Sequence, residues 1–385
     1  MNIVWISFYP LVPNDHPSPW ITTLAKEIVQ SGHELTIFTL SSKISKVKKI
    51  DSGSGYEIIV IPYRGGLIQL LTFFKSRINA LTNFINGYGK KIDIIHVHGT
   101  EHQFASSLEN LSYQRPYIIS IQGIISLCKK ELSAKFSKYY LFWSLSSIYE
   151  KMEIRESKYF FCRTDWDRSF VKKLNGKAEV FECWEVLRPE FYNHKHGFNG
   201  KDIIFMGGDN PLKALDHCLQ VFNELVKGKD IKLHIVGLAD NISIRKMISA
   251  MNLNNITQNN MVLHGNLDAE GICKIYEDCF CLYHPSLIDN SPNSVCEAQV
   301  AGLPVIATNV GGLPSLIENG HTGILVSKND LEEHLIALEK LYTDDDLKRD
   351  LSINAMKIAK ERHHKGTIVK RTINVYQKLA QQSHV

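Results

Sequence analysis

The stretch YHPSLIDNSPNSVCEAQVAGLPVIATNVGGLPSLIENGHTGILV, residues 283–326, carries residue types suited to holding a diphosphate between hydroxyl-bearing groups. A strand is expected to end near Tyr283, a loop rich in Asn, Ser and Pro follows, and a helix is expected to start near Asn293 or Ser294. The first amides of a helix have no partners within it, and they carry a partial positive charge that suits a phosphate. Asp289 lies in the loop ahead of that helix and Glu297 one turn inside it. Two carboxylates so placed can grip hydroxyls on either side of a bound pyrophosphate. Gly302 and Pro304 then open another strand, and Gly311–Gly312 makes a second tight loop at its far end.

Other residues of chemical interest are spread along the chain. His96, His98 and Glu101 sit at the end of an expected strand; two histidines at that spacing lack a nearby third ligand, so no metal is expected there. His98 and Glu101 are read as lining the acceptor side of a cleft, or as satisfied structural residues. Arg163 ends the segment YFFCRT and is followed by Asp165 and Asp167. An Asp-x-Asp pair can hold a metal, but phosphate charge can equally be met by Lys, Arg and helix ends. Arg163 is either a cleft cation or a salt-bridge partner, and the same alternatives stand for Glu185 and Arg188. Lys213 follows a strand-end loop, where phosphate contact is favoured over a plain surface position. Eight scattered cysteines form no Cys-x-x-Cys pair, which argues for reduced thiols and against zinc or disulfides.

These residues need a scaffold, and the hydrophobic pattern supplies one. Short apolar runs alternate with helical-period segments, as in parallel sheets wrapped by helices. NIVWISF, ELTIFTL, YEIIVIPY, DIIHVHG, YIISIQG and YFFCRT read as strands of one sheet. DIIFMGG, KLHIVG, MVLHG, CFCLYHPS, LPVIATNV and GILVS read as a second. At 385 residues the chain is long enough for two such domains. A linker is expected at 188–201, where Pro, Asn, His and Gly occur without apolar periodicity. The expected organisation is a domain over 1–190, a second over 191–365 and a terminal helix over 366–385. Ligands of doubly wound sheets bind at the carboxyl ends of their strands.

The segments now resemble a known family. Asp289 and Glu297, Gly302-Leu303-Pro304-Val305 and Gly311-Gly312-Leu313-Pro314 are similar to the donor site of retaining glycosyltransferases of family 4, which have the GT-B fold. MNIVWISFYP, LAKEIVQSGHELTIFTL, KIDIIHVHGTE and DIIFMGGDNPLKALD extend the resemblance over most of the chain. It implies an α/β protein of two Rossmann-like lobes facing a cleft, with the terminal helix packed on the first. It implies that Glu297 holds the donor ribose and that Asp289 contacts the transferred sugar. Asn290, Ser291 and the backbone of Asn293, Ser294 and Val295 would face the donor, together with Gly207 and Gly208 of the earlier loop. The family presents an Arg and then a Lys to the donor phosphates; here Gly208 stands at the Arg position and only Lys213 remains. A glycine-rich loop after the first strand is replaced by VPNDHPSPW, and the usual His at the end of YIISIQG is Gln122, which can hydrogen-bond but cannot titrate. Lys213, Asp289, Arg163 and Gln122 are the expected catalytic set.

The activity so implied is transfer of a sugar, with retention, from a UDP- or GDP-linked donor to a hydroxyl of a glycan, lipid-pyrophosphate-linked, in the synthesis of a surface polysaccharide such as capsule or lipopolysaccharide. No cofactor and no metal are expected. A sugar-nucleotide epimerase of the same fold and a non-catalytic nucleotide-binding protein are the alternatives. No Gly-x-Gly-x-x-Gly opens either lobe, which argues against a dehydrogenase, and no recognition motif points to nucleic acid. No leader and no apolar run of membrane-spanning length is apparent, so a cytoplasmic location is expected. Residues 1–200 carry 25 Lys/Arg against 18 Asp/Glu, while 201–385 carry 19 against 22. Within the basic half, 67–91 and 129–143 interleave basic with apolar and aromatic residues, a composition that suits reversible attachment to an anionic membrane surface.

Overall fold

A computed structural model describes residues 1–9, 19–132 and 138–382. Most of VPNDHPSPW and the middle of 129–143 lie outside the described residues. The chain divides into two compact units, one of Met1–Val186 with His364–Val385, the other of Leu187–His363.

In the first unit eight strands form one sheet. They are β1 (Asn2–Ile6), β2 (Glu34–Ser41), β3 (Lys48–Asp51), β4 (Glu57–Pro62), β5 (Ile94–His98), β6 (Tyr117–Ser120), β7 (Tyr159–Cys162) and β8 (Glu179–Glu182), in the order β3-β4-β2-β1-β5-β6-β7-β8. Every pairing is parallel except β3 with β4. Central strands such as β5 are buried throughout, which is why their sequences are continuously apolar rather than alternating. β3 and β8 were not expected. KKID and EVFE carry too many charges to read as strands, and both sit at sheet edges where charged side chains reach solvent.

The helix Lys365–Gln382 completes this unit. Its Ile368, Val369, Val375, Tyr376 and Leu379 join Trp5, Ile28, Ile37 and Phe161 in one apolar cluster. Inside that cluster Trp5 Nε1 donates to the Tyr376 hydroxyl at 3.1 Å, and His96 Nδ1 lies 2.5 Å from the same oxygen. Burial, with the nearby Arg163 charge, pushes His96 down to about 3, so a neutral imidazole links Tyr376 to Ser120 Oγ at 2.6 Å. His96 is thereby committed to structure.

The second unit carries β9 (Asp202–Met206), β10 (Leu233–Val236), β11 (Met261–Gly265), β12 (Cys279–His284), β13 (Val305–Thr308) and β14 (Ile324–Val326), in the order β11-β10-β9-β12-β13-β14. All five pairings are parallel, so the carboxyl ends of the strands share one edge. The expected linker at 188–201 is instead part of this unit. Pro189–Asn193 forms a short helix with Phe191 fully buried, and the Tyr192 hydroxyl donates to the His363 carbonyl at 2.6 Å. Five residues are too few to display a helical period, which is why the stretch reads as a loop.

The two sheets give the expected α/β fold of Rossmann-like units. The cysteines of the described residues are all free, and Cys279 and Cys281 are both buried because β12 is covered on both faces.

Candidate active site

Three loops at the carboxyl ends of β9, β12 and β13 meet in the second unit. After β9 the chain turns at Gly207 and Gly208, whose amides both donate to the Val236 carbonyl, at 3.0 and 3.2 Å. Gly208 has φ +55°, and a Cβ there would lie 2.0 Å from the Leu238 carbonyl oxygen. On this backbone path any side chain at position 208 would meet that oxygen. A Cβ on Gly207 would fall 2.6 Å from Lys213 Cγ, so its bareness is what lets the lysine stem pass. Asn210 then accepts from the Leu212 amide at 3.0 Å and starts the 3₁₀ turn Pro211–Lys213. The helix that follows spans Leu215–Leu225, leaving Lys213 on the turn ahead of it.

From there Lys213 Nζ reaches Asp289 Oδ2 at 2.5 Å. The same carboxylate oxygen lies 3.1 Å from His284 Nε2, while Oδ1 accepts from the Asn290 amide at 3.0 Å. Burial alone would raise the Asp289 carboxyl; the Lys213 charge and the His284 contact override it and hold the group below the ordinary carboxylate range. His284 is itself shifted down, by burial against the opposing pull of Asp289. The loops are tied to one another through the backbone. Leu287 N donates to the Leu212 carbonyl at 2.9 Å, Thr308 Oγ1 to the Ser286 carbonyl at 2.5 Å, and Gly312 N to the Asp289 carbonyl at 2.9 Å. A Cβ on Gly311 would lie 1.9 Å from that last oxygen.

Next comes the helix Asn293–Ala301, capped by Pro292 with no side-chain hydrogen bond. Its first amides, at Asn293 and Ser294, therefore sit at an end left open for an anion. Val295 is buried and its amide donates to the Pro292 carbonyl at 3.0 Å, so the expected contact of its backbone with a donor is not open, and Asn290 and Ser291 are buried in the loop before it. One turn on, Glu297 accepts from Arg188 Nε and Nη2, both at 2.8 Å, in a bidentate pair. Burial pushes Glu297 upward and the guanidinium opposes that shift. Arg188 rests over the Phe191 ring at 4.9 Å.

A separate polar cluster occupies the carboxyl ends of β5, β6 and β7 in the first unit. Arg163 Nη2 pairs with Glu185 Oε1 at 2.8 Å and also donates to Gln122 Oε1. Its backbone amide donates to Asp167, which closes a capping box with Thr164 on the helix Asp165–Leu174. Asp167 is thus a capping residue. Among the described residues no group of three or more His, Cys, Asp or Glu is arranged to hold a metal ion. Glu101 Oε1 accepts from Gly123 N at 2.7 Å; burial pushes this carboxyl up to about 7. His98 is buried against the Trp5 ring at 4.8 Å and held well below its usual range by burial first, and further by the neighbouring His96 ring and the Arg163 charge.

The structure thus brings together Lys213, Asp289, Gly207, Gly208 and the start of the helix at Asn293 in one unit, and Gln122, Arg163, Glu101 and His98 in the other. His284 and the partnership of Arg188 with Glu297 were not found from the sequence. The only signal for His284 was a titratable residue ending an otherwise apolar strand.

Residues 190–358 match the family described as Glycosyl transferases group 1, and that stretch is a domain of this type. The whole chain is similar to an uncharacterised glycosyltransferase of Methanocaldococcus jannaschii, 21% identical with 92% of each chain covered. Among solved structures it resembles sucrose-phosphate synthase from Thermosynechococcus elongatus, with a TM-score of 0.81 at 15% identity and 98% of both chains covered. It also resembles Anabaena HepE, solved in complex with UDP-glucose, with a TM-score of 0.72 at 15% identity over 98% of this chain and 100% of that one. The fold is that of the GT-B glycosyltransferases.

Proposed function

We propose that this protein is a retaining glycosyltransferase that moves a sugar from a nucleotide-diphosphate donor to a hydroxyl of a glycan acceptor. The observation that carries the reading is the Lys213–Asp289 pair set beside the open end of the helix at Asn293, within the matched domain. A cation and unpartnered helix amides are what a departing pyrophosphate requires, because its charge grows as the glycosidic bond breaks. Lys213 and the amides of Asn293 and Ser294 stabilise that charge. Asp289 accepts from hydroxyls of the sugar, and Glu297 from the ribose through lone pairs that Arg188 does not use. The incoming hydroxyl attacks the anomeric carbon on the face the phosphate is leaving, and its proton passes to the departing phosphate oxygen. Positioning and electrostatics suffice for this step, with no metal.

UDP is the favoured nucleotide, given the HepE complex, with GDP the other option. The acceptor is a growing surface glycan on a lipid pyrophosphate, in capsule or lipopolysaccharide synthesis, and the enzyme works in the cytoplasm at the membrane's inner face. Incubation with a panel of UDP- and GDP-sugars, read by nucleotide release and thermal stabilisation, tests the reading. One donor class should stabilise the protein and be turned over. If no sugar nucleotide does either, or if product analysis finds only an epimerised donor, the reading fails.

A further inference from the structure

Half of the large apolar side chains exposed among the described residues fall on two segments of the first unit. One is the helix Leu67–Leu71 with the corner that follows it, where Leu67, Leu71 and Phe73 are 71%, 78% and 59% exposed. The other is the helix Lys138–Glu156, where Leu141, Ile148 and Met152 are 59%, 55% and 43% exposed. Positions 141, 148 and 152 fall on one stripe of a helix with 3.6 residues per turn. Phe142 and Tyr149, about 100° round from that stripe, face the corner: the Tyr149 hydroxyl donates to the Phe73 carbonyl at 2.6 Å, and Phe142 meets the Phe74 ring at 4.8 Å. The two apolar rows therefore flank one seam and form a continuous surface.

The corner is built at a cost. Phe73 and Phe74 have φ of +48° and +59°, a region that aromatic residues rarely adopt. The effect is to bury Phe74 completely, with the Arg77 guanidinium over its ring at 5.0 Å, while turning Phe73 out to solvent. An aromatic presented in this way, between exposed leucines, is not what a monomer in water needs. Of the five basic residues from Arg64 to Lys91, a stretch without Asp or Glu, Arg64 and Lys75 are exposed beside the corner, Arg77 is buried under it, and Lys90 and Lys91 pair with Glu57 and Asp93 respectively. On the other segment, Lys129 and Lys130 precede the helix, with Glu131 next to them, and Arg155 is exposed near its end beside Glu156.

We propose that this surface docks on an anionic phospholipid bilayer. Leu67, Leu71 and Phe73 enter the headgroup boundary beside the stripe of the longer helix, and Arg64 and Lys75 meet the lipid phosphates. No helix among the described residues is long and apolar enough to cross a membrane. The docking does not depend on the transferase reading, since none of these residues belongs to the donor or acceptor clusters.

The test is co-sedimentation of the full chain with vesicles of phosphatidylcholine alone, or with about 30% phosphatidylglycerol. Binding should require the anionic lipid and fall about tenfold or more as salt rises from about 0.05 to 0.5 M. The double variant Leu71→Asp, Phe73→Asp should lose binding by a factor of about 100, and Leu141→Ser, Ile148→Ser by about tenfold, each with an unchanged circular dichroism melt. Since Leu71 and Phe73 are exposed, folding should survive; if the first variant melts early, the second decides. Wild-type protein left in the supernatant at low salt would overturn the proposal, as would equal binding to both vesicles. A lipid-free dimer that either variant breaks would also overturn it, making the surface a contact between two copies of the chain.

Discussion

Replacing Lys213 by Ala should have two separable effects, because the lysine is bound into the fold as well as poised for a ligand. Its ammonium sits 2.5 Å from Asp289 Oδ2, with the side chains 21% and 18% exposed. Breaking a fully buried ion pair from one side costs about 3–5 kcal/mol and an exposed one about 0–1. A pair still one-fifth in contact with water belongs nearer the buried end, so a loss of about 2–3 kcal/mol of stability is expected. The pH dependence carries the signature. Lys213 holds the Asp289 carboxyl below its unfolded value of about 3.9, so its contribution is complete above about pH 4 and disappears as pH falls through the folded value. Urea melts of wild type and variant should therefore differ most at neutral pH, and the gap should begin to narrow as pH falls below about 4. Turnover, followed by nucleotide release, should fall about 10²–10³-fold, the loss expected when one preorganised donor to a growing anion is removed. A stability difference that persists undiminished at pH 3 would refute the assigned pair. Near-normal turnover would show that another group carries the leaving charge.

Asp289→Asn should damage transfer more than nucleotide binding, whereas Glu297→Gln should weaken binding of free nucleoside diphosphate; calorimetric titration separates them, and equal losses would end that division of roles. Gly208→Ala forces a Cβ to within 2.0 Å of the Leu238 carbonyl at a positive φ, so it should destabilise the second unit by about 3 kcal/mol or more in denaturant melts. Glu153, buried and accepting from the Ser106 amide and hydroxyl at 2.8 and 2.9 Å, is pushed up to about 8 by burial. It keeps its proton in the folded state while the unfolded chain releases it, so its stabilising contribution is lost as pH rises from about 4.5 to 8. Glu153→Gln should accordingly raise the melting temperature over wild type at pH 8.5 and leave it little changed at pH 5.

Strands were legible in proportion to their burial. All six strands of the second unit are apolar runs ended by Gly, Pro or Ser, and all six are present. β3 and β8 were hidden by edge charges, and Pro189–Asn193 by its brevity. In the site, Asp289, Glu297, Lys213 and the helix start could be singled out from residue type and position. Their pairings could not. Lys213 meets Asp289 across 76 residues only because Gly207 and Gly208 fold the loop back, and Glu297 meets Arg188 across 109. The Arg188 partnership was obscured by the expectation that its surroundings were linker. His96, for which no metal was expected, has a partner that spacing could not reveal, since Tyr376 lies 280 positions away.

That distant tyrosine bears on how the chain is made. The second unit is one uninterrupted segment, Leu187–His363, and everything it needs has been synthesised once residue 363 clears the ribosome. The first unit begins earlier but cannot finish earlier. Until Tyr376 emerges, the Trp5 indole and the His96 imidazole lack the hydroxyl that joins them, and the apolar cluster around Trp5 lacks the helix that covers it. The amino-terminal half must therefore wait, partly assembled and with an open apolar face, while nearly 200 further residues are added. Completion runs against the direction of synthesis: the part translated first is sealed last, and that interval is when it is most exposed to aggregation and most dependent on chaperones.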